Sequence, residues 1–288
     1  MIRKNILGLL FCTSLFFLGF FLHGNLSFYF NISGLLIVLG GTLAAALLSF
    51  RWEQLVIAAK VISSSYKIRH KTEKEIIEIL VDLSLKSRMD GILSLQDKEN
   101  ETSILFLRRA LGCLVDGYRA DQIREILNTE MYFFRLRRDD LERVVKSIGD
   151  YFPTFGIIGS VVGLITMLNG IGDTEIILKA VPIALTSTLY GLIFSNFFFL
   201  PFAANIKERT NQELLLQKII TEGILAIDSE VNPIILKTKL DSFLTPSERV
   251  EQLVSYRQIQ ERFKIEDDYP ENGSAFDFPP PADSPETA

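Results

Sequence analysis

Four hydroxyl side chains stand in apolar surroundings: Ser160 in one charge-free run, and Thr186, Ser187 and Thr188 in the next. A serine or threonine oxygen can join the shell of a hard cation, but it does not cycle a proton at physiological pH. Such residues suit the lining of a narrow ion path. They suit equally well a packed helix in which each hydroxyl bonds a carbonyl of its own chain. No Asp, Glu, Lys or Arg occurs within residues 5–50, 151–172 or 180–206. Proton relays and ion sites inside membranes depend on ionisable groups. If this chain conducts ions, a partner must bring the carboxylate.

The remaining reactive side chains are few. His23 and His70 are the two histidines, and His70 lies among Lys67, Arg69 and Lys71, a solvated basic cluster. Cys12 and Cys113 have neither pairing nor metal-ligand spacing, which predicts two free, packed thiols without a disulfide or zinc site. A Gly-rich phosphate loop and an intramembrane acid pair are both missing from the sequence. The chain therefore reads as a non-enzyme without cofactor, metal or nucleic-acid partner.

The hydroxyls need elements to hold them, and the charge pattern supplies these. The chain has 288 residues, 48% apolar and 23% charged, with a net charge of -5. Seven acids and no base fall in residues 266–288, so the rest carries +2. About 20 apolar residues make a helix long enough to cross the hydrocarbon layer. Four spans are predicted, at about 5–22, 32–50, 152–171 and 181–203. A cleaved signal peptide is disfavoured for the first, because a second span follows directly and no small-residue cleavage site intervenes. Arg3, Lys4, Arg51, Lys60, Arg143, Lys146, Lys207 and Arg209 gather on one side after an even number of crossings, which puts both termini in the cytoplasm.

The fold expected is thus an all-α membrane protein, four transmembrane helices with a helical cytoplasmic domain. Residues 1–50 and 151–204 form two transmembrane hairpins, and 51–150 the cytoplasmic helical domain. Residues 205–265 form C-terminal cytoplasmic helices and 266–288 a disordered acidic tail. In 51–150, Ile76, Ile79, Leu80 and Leu83 share one helical stripe, and Ile123, Ile126 and Leu127 another.

The last two spans carry small residues at helical spacing: Gly156, Gly159, Ser160 and Gly163 in one, Ala184, Thr188, Gly191 and Ser195 in the other. Small stripes let helix backbones approach closely in lipid, where packing has to drive association. Pro182 stands where the fourth helix is expected to begin. Pro153 and Pro201 fall near the cytoplasmic ends of the third and fourth spans, where each removes a backbone hydrogen bond and permits a bend.

Several blocks together resemble a known family. These are Asn31-Ile-Ser-Gly-Leu-Leu-Ile-Val-Leu-Gly-Gly-Thr, Pro153-Thr-Phe-Gly-Ile-Ile-Gly-Ser-Val-Val-Gly-Leu, Leu185-Thr-Ser-Thr-Leu-Tyr-Gly and Phe199-Leu-Pro-Phe-Ala. Val115-Asp-Gly-Tyr-Arg-Ala-Asp-Gln, Thr221-Glu-Gly-Ile-Leu-Ala-Ile-Asp and Lys239-Leu-Asp-Ser-Phe-Leu-Thr-Pro add to them. In this order, over about residues 31–250, they resemble the MotA/PomA stator subunits of the bacterial flagellar motor.

The resemblance implies a multi-pass subunit of the bacterial inner membrane, forming a pentamer around a MotB-type partner whose single span carries the essential aspartate. Proton or sodium flow through that channel would drive torque on the rotor switch protein. Pro153 and Pro201 match the family's hinge prolines, and the clustered hydroxyls Ser160, Thr186, Ser187 and Thr188 are the ion-pathway residues expected in this chain. Sodium-type relatives tend to carry threonine at the positions of Ser160 and Thr188, so the oxygen kept at Ser160 tips the reading toward sodium. The family's rotor contact is an arginine followed eight residues later by glutamate. Here Arg88 supplies the arginine, but Gln96 takes the glutamate position, which moves the negative charge to Asp97, Glu99 or Glu101. Two alternatives are an ExbB/TolQ-like energiser of outer-membrane transport, disfavoured by the N-terminal hairpin, and a passive membrane scaffold.

Overall fold

The computed structural model describes residues 11, 13–16, 18–19, 22, 29–64, 72–96 and 104–245. Of the expected first span, residues 11, 13–16 and 18–19 are helical, Leu22 stands in a turn, and the others lie outside the described residues. So do Cys12, His23, His70, Asp97, Glu99, Glu101 and the acidic tail. The chain divides into two compact units, Met1–Leu240 and Asp241–Ala288. In the second, the described residues 241–245 form a turn closed by a Leu244 amide to Asp241 carbonyl bond.

Every regular element among the described residues is helical. Helix α1 (Ile32–Ser49) is capped by Asn31, whose Oδ1 accepts from the Gly34 amide at 3.0 Å. After Arg51 the chain continues as α2 (Trp52–Ser64). Helix α3 (Glu73–Asp90) starts at Thr72, whose hydroxyl accepts from the Glu75 amide, with Glu73 and Glu75 suiting the positive end of the helix dipole. It stops at Gly91, whose φ of 83° is open to glycine and costly for other residues, and a short 3-10 turn, Ile92–Leu95, follows. Helix α4 (Leu105–Val115) precedes α5 (Ala120–Asn169), α6 (Thr174–Ile193), a π-helical segment (Phe194–Phe199), α7 (Leu200–Asp228) and α8 (Pro233–Asp241).

Two long rods dominate. The 50 residues of α5 reach about 75 Å at 1.5 Å per residue, well over twice the hydrocarbon thickness of about 30 Å. The second rod runs without a break from Thr174 to Asp228. Among the described residues, three helices are long and apolar enough to cross a membrane: α1, α5 and the rod from α6 to α7. In α5 and in the second rod the apolar half gives way to a charged half without any interruption of the helix.

Helix α6, that of the fourth expected span, begins earlier than the sequence suggests. Asp173 caps it by accepting from the Glu175 amide at 2.9 Å, so Pro182 lies in the helix interior and not in its first turn. The surrounding apolar stretch hid a start set by one aspartate side chain.

The main core lies in the charged half, where α3, α4, α5, α7 and α8 bury Leu80, Leu107, Leu111, Ile123, Leu127, Ile219, Ile220, Ile224 and Leu236. On the expected stripe of α3, Ile76, Leu80 and Leu83 are buried and Ile79 half-buried, with Ile77 added to the buried set. Gly223 lets α3 settle on α7, since a Cβ there would come within 2.7 Å of Leu80. A second cluster of Ala58, Val144, Val145, Ala203 and Ile206 fixes α2 against α5 and α7 where the apolar and charged halves meet.

Candidate functional site

The site begins as a seam of small residues between α5 and α6. A Cβ on Gly163 would lie 2.7 Å from the Ala184 nitrogen, and one on Gly191 2.6 Å from the Phe152 carbonyl oxygen. Between them, Gly156 faces the backbone of Ser187, Thr188 and Gly191. Those distances are below ordinary contact, so alanine does not fit unless the helices part. The glycine stripes have therefore brought two backbones together, as small residues do in lipid.

On this seam the four sequence-predicted hydroxyls divide into two pairs. Ser160 and Thr188 are half-buried and hydrogen-bonded to each other. The Ser160 hydroxyl also donates to the Ala184 carbonyl and lies 3.2 Å from that of Gly156, while Thr188 reaches the Gly156 carbonyl at 3.4 Å. The result is a cluster of hydroxyl and carbonyl oxygens drawn from both helices, the donor type that hard cations prefer.

Thr186 and Ser187 behave differently. Each donates to its own helix, to the carbonyls of Pro182 and Ile183 respectively, both at 2.7 Å. Both are buried, Ser187 completely, and both face α1. A Cβ on Gly34 would meet Ser187 Oγ at 2.8 Å and Thr186 Oγ1 at 3.1 Å, and one on Gly159 would meet Ser187 Oγ at 2.6 Å. Ser187 thus fills a notch between two glycines, where its geometry is that of a packing residue.

At the lower end of the seam, two helix defects lie side by side. Pro153 lies inside α5, and Pro201 in the first turn of α7, just after the π-helical segment. A proline nitrogen cannot bond the carbonyl four residues back. The π segment absorbs the mismatch: the Leu200 amide bonds the Ser195 carbonyl, five residues back. The two defects touch. The Phe152 ring centroid lies 5.3 Å from that of Phe194 and 4.9 Å from that of Phe199, and a Cβ on Gly149 would lie 3.2 Å from the Phe199 Cβ.

Arg88 is exposed near the C-terminal end of α3, and its Nη2 donates to the Glu230 carbonyl at 2.8 Å. Glu230 holds a left-handed turn (φ 51°) just beyond α7, and the two helix ends border a crevice lined by Ser84, Arg88, Ile92, Leu93 and Ile227. The structure thus ties Arg88 to the rod that comes down from the apolar half. Its expected acidic companions lie outside the described residues.

Elsewhere in the charged half, Lys239 at 2.7 Å and Lys218 at 3.2 Å hold the Glu222 carboxyl below its usual range, with partial burial opposing them. Burial pushes the free thiol of Cys113 up, and neighbouring Asp116 adds to that. Among the described residues no group of three His, Cys, Asp or Glu side chains could hold a metal ion.

One polar contact escaped sequence reasoning. The Tyr190 hydroxyl accepts from the Asn31 amide at 2.7 Å and donates to the Tyr29 carbonyl, joining α6 to the start of α1. The available signal was a lone phenol in an apolar run, two residues beyond Thr188.

Comparison with known proteins places this architecture. The MotA/TolQ/ExbB proton channel family matches residues 98–218. The chemotaxis protein PomA of Vibrio alginolyticus is 30% identical over 245 residues, covering 85% of this chain and 96% of that protein. The flagellar MotAB stator complex from Bacillus subtilis contains a chain that superposes with a TM-score of 0.79 at 26% identity. The C. jejuni MotAB structure gives 0.78 at 27%. Each superposition covers 85% of this chain and 97% of the other.

Proposed function

Because the chain belongs to the MotA/PomA family and is a stator subunit of the bacterial flagellar motor, we propose that it works as the carboxylate-free wall of a shared ion channel. The observation that carries this reading is the Ser160–Thr188 pair, set on a seam of touching backbones in spans without a single Asp, Glu, Lys or Arg. A channel so built needs an acid from outside. A MotB-type single-span partner supplies it as an aspartate facing the pair, and protons or sodium ions cross by way of that aspartate while the hydroxyl and carbonyl oxygens replace part of the ion's water shell.

The rest of the mechanism follows the elements. Four spans cross the bacterial inner membrane with both termini cytoplasmic, and the charged halves of α5 and α7 carry the change downward. Pro153 and Pro201 act as the hinge. Arg88, with Asp97, Glu99 or Glu101, meets the rotor switch protein. Copies of the chain assemble around the partner as a pentamer. In support of assembly, Tyr132, Phe133 and Leu136 are exposed on the charged half of α5, beyond any lipid that could cover them.

The test is expression of this chain with its MotB-type partner in cells lacking stators. Restored swimming that disappears when the partner's intramembrane aspartate becomes asparagine supports the reading. Failure of the intact pair to restore swimming, with both proteins present in the membrane, overturns it.

A further inference from the structure

The Tyr190 hydroxyl makes contacts that a simple packing residue would not need. Helix α1 starts abruptly, and the groups at its first turn must find partners, because unpaired backbone groups are costly away from water. The Asn31 side chain takes the Gly34 amide. The Asn31 amide and the Tyr29 carbonyl both go to the Tyr190 hydroxyl, which accepts one bond and donates the other. A single phenol on α6 thus closes the turn that leads into α1.

This contact has a consequence for the pathway. Once the start of α1 is fixed, Gly34 sits directly over Ser187 Oγ and Thr186 Oγ1, and Ser187 is pressed into the notch at Gly159. Ser160 and Thr188 are the next residues along α5 and α6. We propose that Tyr190 is a positioning residue: its hydroxyl latches the start of α1 to α6 and so fixes the seat of Ser187, which holds the Ser160–Thr188 pair in register. The link to ion passage rests on the stator reading above, whereas the latch itself does not.

Tyr190→Phe keeps the ring and removes both bonds. In the complex with its partner, reconstituted in lipid nanodiscs, amide exchange at Asn31 should become about tenfold faster, the scale of one lost hydrogen bond. Exchange along the α5–α6 seam should stay as in the parent. In swimming cells, the external ion concentration for half-maximal speed should shift, with the amount of assembled complex unchanged. Unaltered exchange at Asn31 overturns the latch whatever the motor does. Faster exchange with an unshifted ion curve overturns the positioning role. If the parent itself fails to drive motility, the stator reading fails while the exchange result still decides the latch. Should Tyr190→Phe not accumulate, Gly34→Ala is the second variant. Its Cβ would lie 2.8 Å from Ser187 Oγ, pushing α1 off α6 from the other side, and the same ion shift is expected. A normal ion curve in an assembled Gly34→Ala complex overturns the proposal.

Discussion

Replacing Ser160 with alanine separates the role of its hydroxyl from its role as a small packing residue. The hydroxyl touches Thr188 Oγ1 and the carbonyls of Ala184 and Gly156. Both carbonyls belong to helix interiors and keep their own backbone partners, and Thr188 keeps Gly156 at 3.4 Å, so the change strands no buried group. Interhelical side-chain bonds in membrane proteins contribute about 0.6 kcal/mol on average and at most about 1.7. The average corresponds to a factor of about three in an equilibrium, too little to prevent insertion or assembly. Alanine also suits the seam sterically. Ser160→Ala should therefore reach the membrane and co-purify with the partner at about the parent's level. Swimming speed, measured across a sodium titration at fixed pH and a pH titration at fixed sodium, should depart from the parent in whichever titration varies the coupling ion. Superimposable curves in both, with normal assembly, would refute the assignment of this pair to the ion path.

Gly191→Ala tests the seam, because its Cβ would come 2.6 Å from the Phe152 carbonyl, where backbone cannot yield cheaply. Overpacking of this kind costs about 1–3 kcal/mol, so the purified complex should melt at lower temperature, and an unchanged melting curve would count against the close approach. Glu222→Gln tests the lysine clamp. A carboxyl with a lowered folded-state pKa adds stability above its ordinary value, about 4.3, and loses that contribution as pH falls through the lower folded-state value. The variant should melt below the parent at neutral pH and converge with it in acid, and a gap independent of pH would exclude the electrostatic account. Arg88→Glu should slow swimming without loss of assembly, since it reverses an exposed charge and removes the bond to the Glu230 carbonyl. Parental speed in the variant would discard Arg88 as a rotor contact.

Much of this architecture was readable because the charge gaps and small-residue stripes are long. Stretches free of charge over 151–172 and 180–206 can hardly be other than lipid-facing helix, and glycines at helical spacing mark a face that meets another backbone. What escaped depends on single side chains meeting across the fold. Ser160, Thr186, Ser187 and Thr188 look alike in sequence, but successive helix positions are turned by about a third of a circle, so Thr188 faces Ser160 while Thr186 and Ser187 face α1. The start of α6 was missed because one aspartate set it. The π segment was missed because a proline announces a lost bond but not how the preceding turns absorb the loss. Tyr190 was overlooked because its partners are backbone atoms about 160 positions away in the chain, which side-chain patterns do not display.

The seam and the paired defects constrain how motion could travel. Where backbones touch, from Gly163 against Ala184 down to Gly191 against Phe152, a shift of one helix along the other drives a Cβ into main chain, so α5 and α6 move there as one body. At its lower end, the Pro153 nitrogen leaves the Gly149 carbonyl of α5 without its helix bond, and the 194–199 segment beside it has π-helical rather than α-helical bonding in the second rod. The hinge proposal therefore places bending at that level, in both rods together. A proline in one rod alone would bend against a stiff neighbour, whereas two defects in ring contact let the pair bend without parting. From Pro153 to the start of α5 at Ala120 is about 50 Å, so a bend of about 5° moves the far end by about 4 Å. The hinge proposal accordingly requires no unwinding and no break in either rod. Under that proposal, a small change beside the Ser160–Thr188 pair would become a displacement of several ångströms in the charged half, where Arg88 is bonded to the Glu230 carbonyl just beyond the second rod.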